Sequence, residues 1–173
     1  MSAAEVFTFA KNMTDAAICL RDGGHHLQAA MLTYVAIDQM AWLSVEGLRT
    51  SRKDFMAWVD AYMPANSTLP CTACEIWEAR NGVLHMGTAE SAANRDSDNI
   101  RKICYVFGHT PELANKSGGV VFIRVEQLML NFLGGVELFL RDLEADPVKM
   151  TQAKGKLDRM LTQRLLSPQS QVL

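Results

Sequence analysis

Along most of this chain apolar side chains recur at intervals of three and four, the spacing that gathers them on one face of an α-helix. Proline occurs only at positions 64, 70, 111, 147 and 168. The pattern predicts a helical bundle. Ser2 with Glu5 resembles a capping box and opens a first helix, which runs to about Arg21, where Asp22-Gly23-Gly24 breaks it. A second helix covers His25 to Leu48, with Leu27, Met31, Tyr34, Ile37, Met40, Trp42 and Val45 spread round its whole circumference, so a central position is expected. Ser51 with Asp54 starts a short third helix bearing Phe55, Trp58, Val59 and Tyr62. After a turn-rich link from Pro64 to Pro70, Thr72 with Glu75 caps a fourth helix that reaches about Met86 and stops at Gly87.

Residues 88–99 are small and polar, as in an exposed loop. The period then shortens: Ile103, Tyr105 and Phe107 alternate with their neighbours, and a β-branched tract follows at Val120 to Ile123, which predicts a β-hairpin inserted around 100–125. Helical spacing returns with Val125, Leu128, Phe132, Val136, Phe139 and Leu143, where Gly134-Gly135 marks a bend or a close-packing point. Asp146-Pro147 opens an extra C-terminal helix at about 147–166, the one basic stretch of the chain. The expected fold class is therefore mainly all-α, one domain over 1–173.

Composition narrows the function classes. A length of 173 residues suits one core rather than two, and an apolar share of 49% with 21% charged residues excludes wholesale disorder. Seventeen basic against nineteen acidic side chains leave a net charge of −2, so nothing here coats nucleic acid nonspecifically; any contact must be local. The start, Met1-Ser2-Ala3-Ala4-Glu5, lacks a basic, then apolar leader, and Asp38, Asn131 and Glu137 interrupt the apolar tracts short of the roughly 20 residues that cross a membrane. A cytoplasmic protein without membrane contact is expected. Four cysteines in a chain of this length do not form a disulfide framework.

The fourth helix carries Arg80-Asn81-Gly82-Val83-Leu84-His85. At about 100° per residue, Cys74, Glu78, Asn81 and His85 share a stripe, while Arg80 lies well round the helix beside Trp77 and Leu84. Asn81 and His85 are one turn apart, close enough for the amide to orient the imidazole. Arg80 interrupts the apolar stripe of Ile76, Trp77, Val83 and Leu84, and a guanidinium is rarely buried without an anionic partner. That partner is a phosphate, or Asp38 or Glu78; Asp38, itself set among apolar residues, is the favoured one.

An Arg followed by a polar residue, spacers and a His near the end of a bundle helix resembles the signature of the HEPN superfamily (higher eukaryotes and prokaryotes nucleotide-binding), matched here by Arg80, Asn81 and His85. The likeness extends over about 5–145: the long second helix with Ile37-Asp38, the short helix with Phe55 and Trp58-Val59, the motif helix and a closing helix. The resemblance implies an up-and-down helical bundle that forms a homodimer through its motif helices. It implies a metal-independent endoribonuclease of toxin, antiphage or mobile-element systems, with RNA as substrate and a protein antitoxin or regulator as a further partner. Arg80 and His85 would be catalytic, with Asn81, Glu78 and Asp38 supporting. Because Arg80 and His85 point to different sides of one α-helix, a cleft composed from two copies is expected to bring them together. The family also contains non-catalytic modules, in which Arg80 is a structural ion pair between helices.

Other features lead elsewhere. Cys71 and Cys74 form a CxxC that Cys104, His85 and His109 could complete as four ligands, but a second close-spaced pair is missing, and apolar packing is expected instead. No metal and no other cofactor is called for. No glycine-rich phosphate loop is present, since Gly118-Gly119 lacks a following Lys-Ser or Lys-Thr. Lys154, Lys156 and Arg159 make the final helix the best local patch for an RNA backbone.

Overall fold

Gly24, with a φ of +80° that L side chains rarely adopt, turns the chain from α1 (Ala3–Asp22) into α2 (His26–Ser44). The turn closes on the end of α1 through Gly24 N to Arg21 O and His25 N to Leu20 O, at 2.9 and 2.8 Å. The computed structural model describes residues 3–63, 69–86, 91, 99–106 and 119–159. Ser2 of the first capping signature, residues 64–68 of the Pro64–Pro70 link, the Gly87 stop, residues 88–90 and 92–98 of the expected loop at 88–99, and the chain beyond 159 lie outside them.

The other capping signatures act as their sequences specify. Ser51 Oγ accepts from Asp54 N at 3.2 Å while the Asp54 carboxylate accepts from Ser51 N at 2.8 Å, opening α3 (Arg52–Tyr62). Thr72 and Glu75 form the same reciprocal pair, at 3.2 and 2.7 Å, before α4 (Ala73–Asn81). Asp146 accepts from Val148 N and Lys149 N, and Pro147 fills the first helical position where its missing N–H costs nothing. These bonds open α6 (Pro147–Leu157), directly after α5 (Val125–Ala145).

Helix α2 is the axis. Its Ala29, Ala30, Tyr34, Ala36, Ile37, Met40, Ala41 and Leu43 are buried, and it packs on α1, α3, α5 and α6. Beside it Trp58, Tyr62, Phe132 and Phe139 form an aromatic cluster with ring centroids 5.3–6.4 Å apart. Gly135 is a close-packing point rather than a bend: a Cβ there would lie 3.2 Å from Met63 Cγ and 3.3 Å from the Tyr62 carbonyl, and α5 runs through it unbroken. The molecule is mainly helical, with six α-helices among the described residues.

The small sheet corrects one expectation. Strand β1 (Lys102–Val106) pairs with β2 (Val120–Arg124) in parallel, in register from Lys102 opposite Val120 to Val106 opposite Arg124, so the two are not a hairpin. Alternation of side chains identifies strands but not their direction. The connection over 107–119, on the order of a dozen residues, is long enough to carry the chain back to the starting end. Strand β1 lies against α4, and the Tyr105 hydroxyl is hydrogen-bonded to the buried Tyr34 hydroxyl of α2. The sheet thereby braces α4 from behind.

Candidate active site

Helix α4 is held from several directions before its C-terminal end is reached. Ile76 and Ala79 enter the core, Trp77 meets Phe55 edge-on at 5.1 Å, and Glu75 binds Arg101 just before β1. Glu78, expected beside the site, faces the other way. It is buried, 3.3 Å from Arg52 Nη2, and accepts a 2.6 Å hydrogen bond from Ser91 Oγ. Cys74 shares that side, its Sγ 3.1 Å from Arg52 Nη2. The stripe drawn through Cys74, Glu78, Asn81 and His85 thus divides, because the α-helix it assumes ends at Asn81.

From Gly82 to Met86 the chain continues as one π-helical turn. In an α-helix a residue five places on lies about 140° round the axis, nearly opposite. The wider π-turn, bonded i to i+5, returns it to the same side. Arg80 and His85 therefore meet within one chain: Arg80 Nη1 lies 2.8 Å from His85 Nε2. This overturns the expectation that the two point apart and need a second copy to converge. The Asn81-Gly82 dipeptide, poor in helix propensity, is the only trace of the turn in the sequence.

The remaining bonds of Arg80 fix its plane. Nε donates to Asp38 Oδ2 at 2.7 Å, Nη2 lies 2.6 Å from the same oxygen, and Nη1 also donates to Asn81 Oδ1 at 2.9 Å. The guanidinium carbon stands 5.2 Å from the centroid of Trp77, in cation–π range. Asp38 comes from the middle of α2, so the pair joins the central helix to the motif helix. The Arg80 and Asp38 side chains are 18% and 19% exposed, whereas His85 is open to solvent. Burial pushes the Asp38 carboxyl above its ordinary range, and the hydrogen bonds from Arg80 pull it down without cancelling that effect. A guanidinium N–H cannot accept, so in this contact His85 Nε2 is the acceptor and the ring proton sits on Nδ1.

Beside this pair opens a cleft of about 560 Å³ lined by Asp38, Gln39, Trp42, Leu48, Thr50 and Trp77 together with Arg49 and Arg80. The volume suits a small organic group. Periodicity assigned the tryptophans to apolar stripes, and only Trp58 is a core residue; Trp42 and Trp77 are half-buried cleft walls. Arg49 follows α2 in an irregular segment, where helical spacing gives no information.

The C-terminal patch is corrected as well. Lys156 is buried, donates Nζ–H bonds to the carbonyls of Trp42 and Val45, and lies 5.4 Å from the Trp42 ring centroid. It caps the end of α2 rather than facing a nucleic acid. Its position is set by α6 packing on α2, which charge along a sequence does not reveal. Lys154 is half-buried and Arg159 exposed, so these two remain on the surface. Burial drives the Cys71 thiol up to about 12, unfavourable for a reactive thiolate. No group of three or more His, Cys, Asp or Glu side chains is arranged to hold a metal among the described residues, from which His109 is excluded. No helix among them is long and apolar enough to cross a membrane. Comparisons with protein-family models, curated proteins and solved structures return no match.

Proposed function

We propose that the protein is a HEPN-type, metal-independent endoribonuclease in which Arg80 and His85 act on one phosphodiester. One observation carries the reading: a guanidinium N–H and an imidazole nitrogen 2.8 Å apart, one chain supplying both, with the imidazole exposed and the guanidinium lining an open cleft. RNA contains its own nucleophile, so the residues have only to move protons and meet charge. A phosphate oxygen arriving at Arg80 Nη1 takes over the hydrogen bond now given to His85 and frees the Nε2 lone pair. His85 then removes the 2′-hydroxyl proton. O2′ attacks phosphorus, the bond from phosphorus to O5′ breaks, and the proton passes to O5′, leaving a 2′,3′-cyclic phosphate and a 5′-hydroxyl end. Asn81 and Asp38 hold Arg80 in plane, and Glu78 supports the reaction only through the fold. A homodimer through the motif helices would place two such pairs in one particle, with a protein antitoxin or regulator covering them in a toxin, antiphage or mobile-element setting.

The test is incubation of the pure protein in EDTA with an RNA containing both loops and helices. Cleavage to cyclic-phosphate ends is expected. His85→Ala should reduce kcat/KM by about 10²–10⁴-fold with an unchanged circular dichroism spectrum. A second reading, a non-catalytic interaction or regulatory module, draws support from the bridge that two Arg80 nitrogens make to Asp38 between two helices. It requires that the wild type leave RNA intact and that Arg80→Ala lower only the melting temperature.

A further inference from the structure

The cleft beside Arg80 is built from side chains of a particular kind: two indoles, two guanidiniums and a primary amide, those of Trp42, Trp77, Arg49, Arg80 and Gln39. Both indoles are already held by their neighbours. Trp42 Nε1 donates to the Leu48 carbonyl at 3.0 Å and Lys156 stands 5.4 Å from its ring centre, while Trp77 is held between Phe55 and Arg80. Little ordering is left for a ligand to impose on these walls. Arg49 is exposed and its side chain makes no hydrogen bond or ion pair among the described residues. With Asp38 already held by Arg80, Arg49 leaves the cleft with a net positive charge.

We propose that this cleft takes one unstacked base from a single-stranded segment of RNA, next to the phosphate held at Arg80. An indole stacks on the base, Gln39 meets its polar edge, and Arg49 contacts the flanking phosphate. The inference rests on the ribonuclease reading and adds a substrate class to it. In a duplex both faces of a base are covered by its neighbours, and side chains cannot read the deep, narrow major groove of A-form RNA. A pocket walled by tryptophan therefore selects loops and single strands. Stacking of this kind tolerates any base, so strand state rather than sequence decides what binds.

The probe is a fluorescein-labelled, mixed-sequence 2′-fluoro decamer, which lacks the attacking hydroxyl, read by anisotropy as a single strand and as the paired duplex. The single strand should bind at least about tenfold tighter than the duplex. Trp42→Leu should weaken it about tenfold and Trp42→Phe much less. Because Trp42 also contacts Lys156, the exposed Arg49→Ala provides an arm that does not depend on packing. It should weaken binding and reduce the salt slope by about 0.7, the share of one phosphate contact on a single strand. Equal binding of strand and duplex, binding of neither, or wild-type affinity in both Trp42→Leu and Arg49→Ala overturns the proposal. If the decamer binds as described but natural RNA is not cut, the ribonuclease reading fails and the cleft assignment stands. If RNA is cut and Trp42→Leu and Arg49→Ala cut it at the wild-type rate, the reverse holds.

Discussion

Helix α4 carries an arginine–carboxylate pair at each end, and the two are built differently. At its start Glu75 receives Arg101 on both carboxylate oxygens, at 2.6 and 3.0 Å, and closes the Thr72 cap with the same group. At its end Asp38 receives Arg80 on one oxygen only, and the guanidinium spends its third nitrogen on Asn81 and His85. The protonation of the carboxyls follows this arrangement. Burial tends to raise both; for Glu75 the bonds from Arg101 and Thr72 outweigh it and hold the group below its ordinary range, whereas Asp38 stays above. The first pair uses both oxygens of its carboxylate. The second uses one, and its guanidinium also points a donor at an exposed imidazole.

Replacing each arginine by lysine is the strongest way to break this comparison, because lysine keeps the charge but loses the planar fork. Arg80→Lys should reduce RNA cleavage by about 10²–10³-fold, the loss seen on removing one donor to developing charge. Arg101→Lys should leave cleavage within about twofold while lowering stability; equal losses of activity would merge the two pairs into one class. Next in size is the carboxylate side. Glu75→Ala removes a cap partner and strands Arg101, for an expected loss of about 2–4 kcal/mol in urea unfolding. Asp38→Asn keeps an acceptor for Arg80 but leaves the mostly buried guanidinium without its counter-charge, for an expected loss of about 1–3 kcal/mol.

The smallest effect is in pH, where the two groups have opposite signs. Glu75, lowered in the fold, contributes stability that is complete above 4.5 and disappears as pH falls through its folded value. Asp38, raised in the fold, imposes a cost that is present at neutral pH and is relieved as pH falls through its folded value toward 3.8. On acidification the wild type should therefore lose ground to Glu75→Gln and gain it on Asp38→Asn. Denaturation midpoints that move in the same direction for both would contradict the assignment.

Local chemistry made a large part of the fold legible. The Ser51, Thr72 and Asp146 caps, the glycine stop after α1 and the greasy circumference of α2 need only neighbours within a few residues, and each is present where the spacing indicates. The bond from Arg80 to Asp38 was legible for another reason, because a guanidinium and a carboxylate set among apolar residues each demand a partner. Lys156 defeated the same logic. A basic helix reads as a solvated face until its packing partner is known, and here that partner is the carbonyl end of α2.

By itself the sequence determined a mainly helical molecule and the limits of most helices, and it singled out Arg80, Asn81 and His85 as the candidates for chemistry. Tertiary structure alone decided that β1 and β2 run parallel, that a π-turn swings His85 onto Arg80, that Glu78 turns away, and that Trp42 and Trp77 wall a cleft instead of a core. The division has a physical cause. Caps and periodic stripes depend on contacts a few residues apart, whereas strand direction, a single widened helical turn and the sharing of one guanidinium depend on where distant segments come to rest.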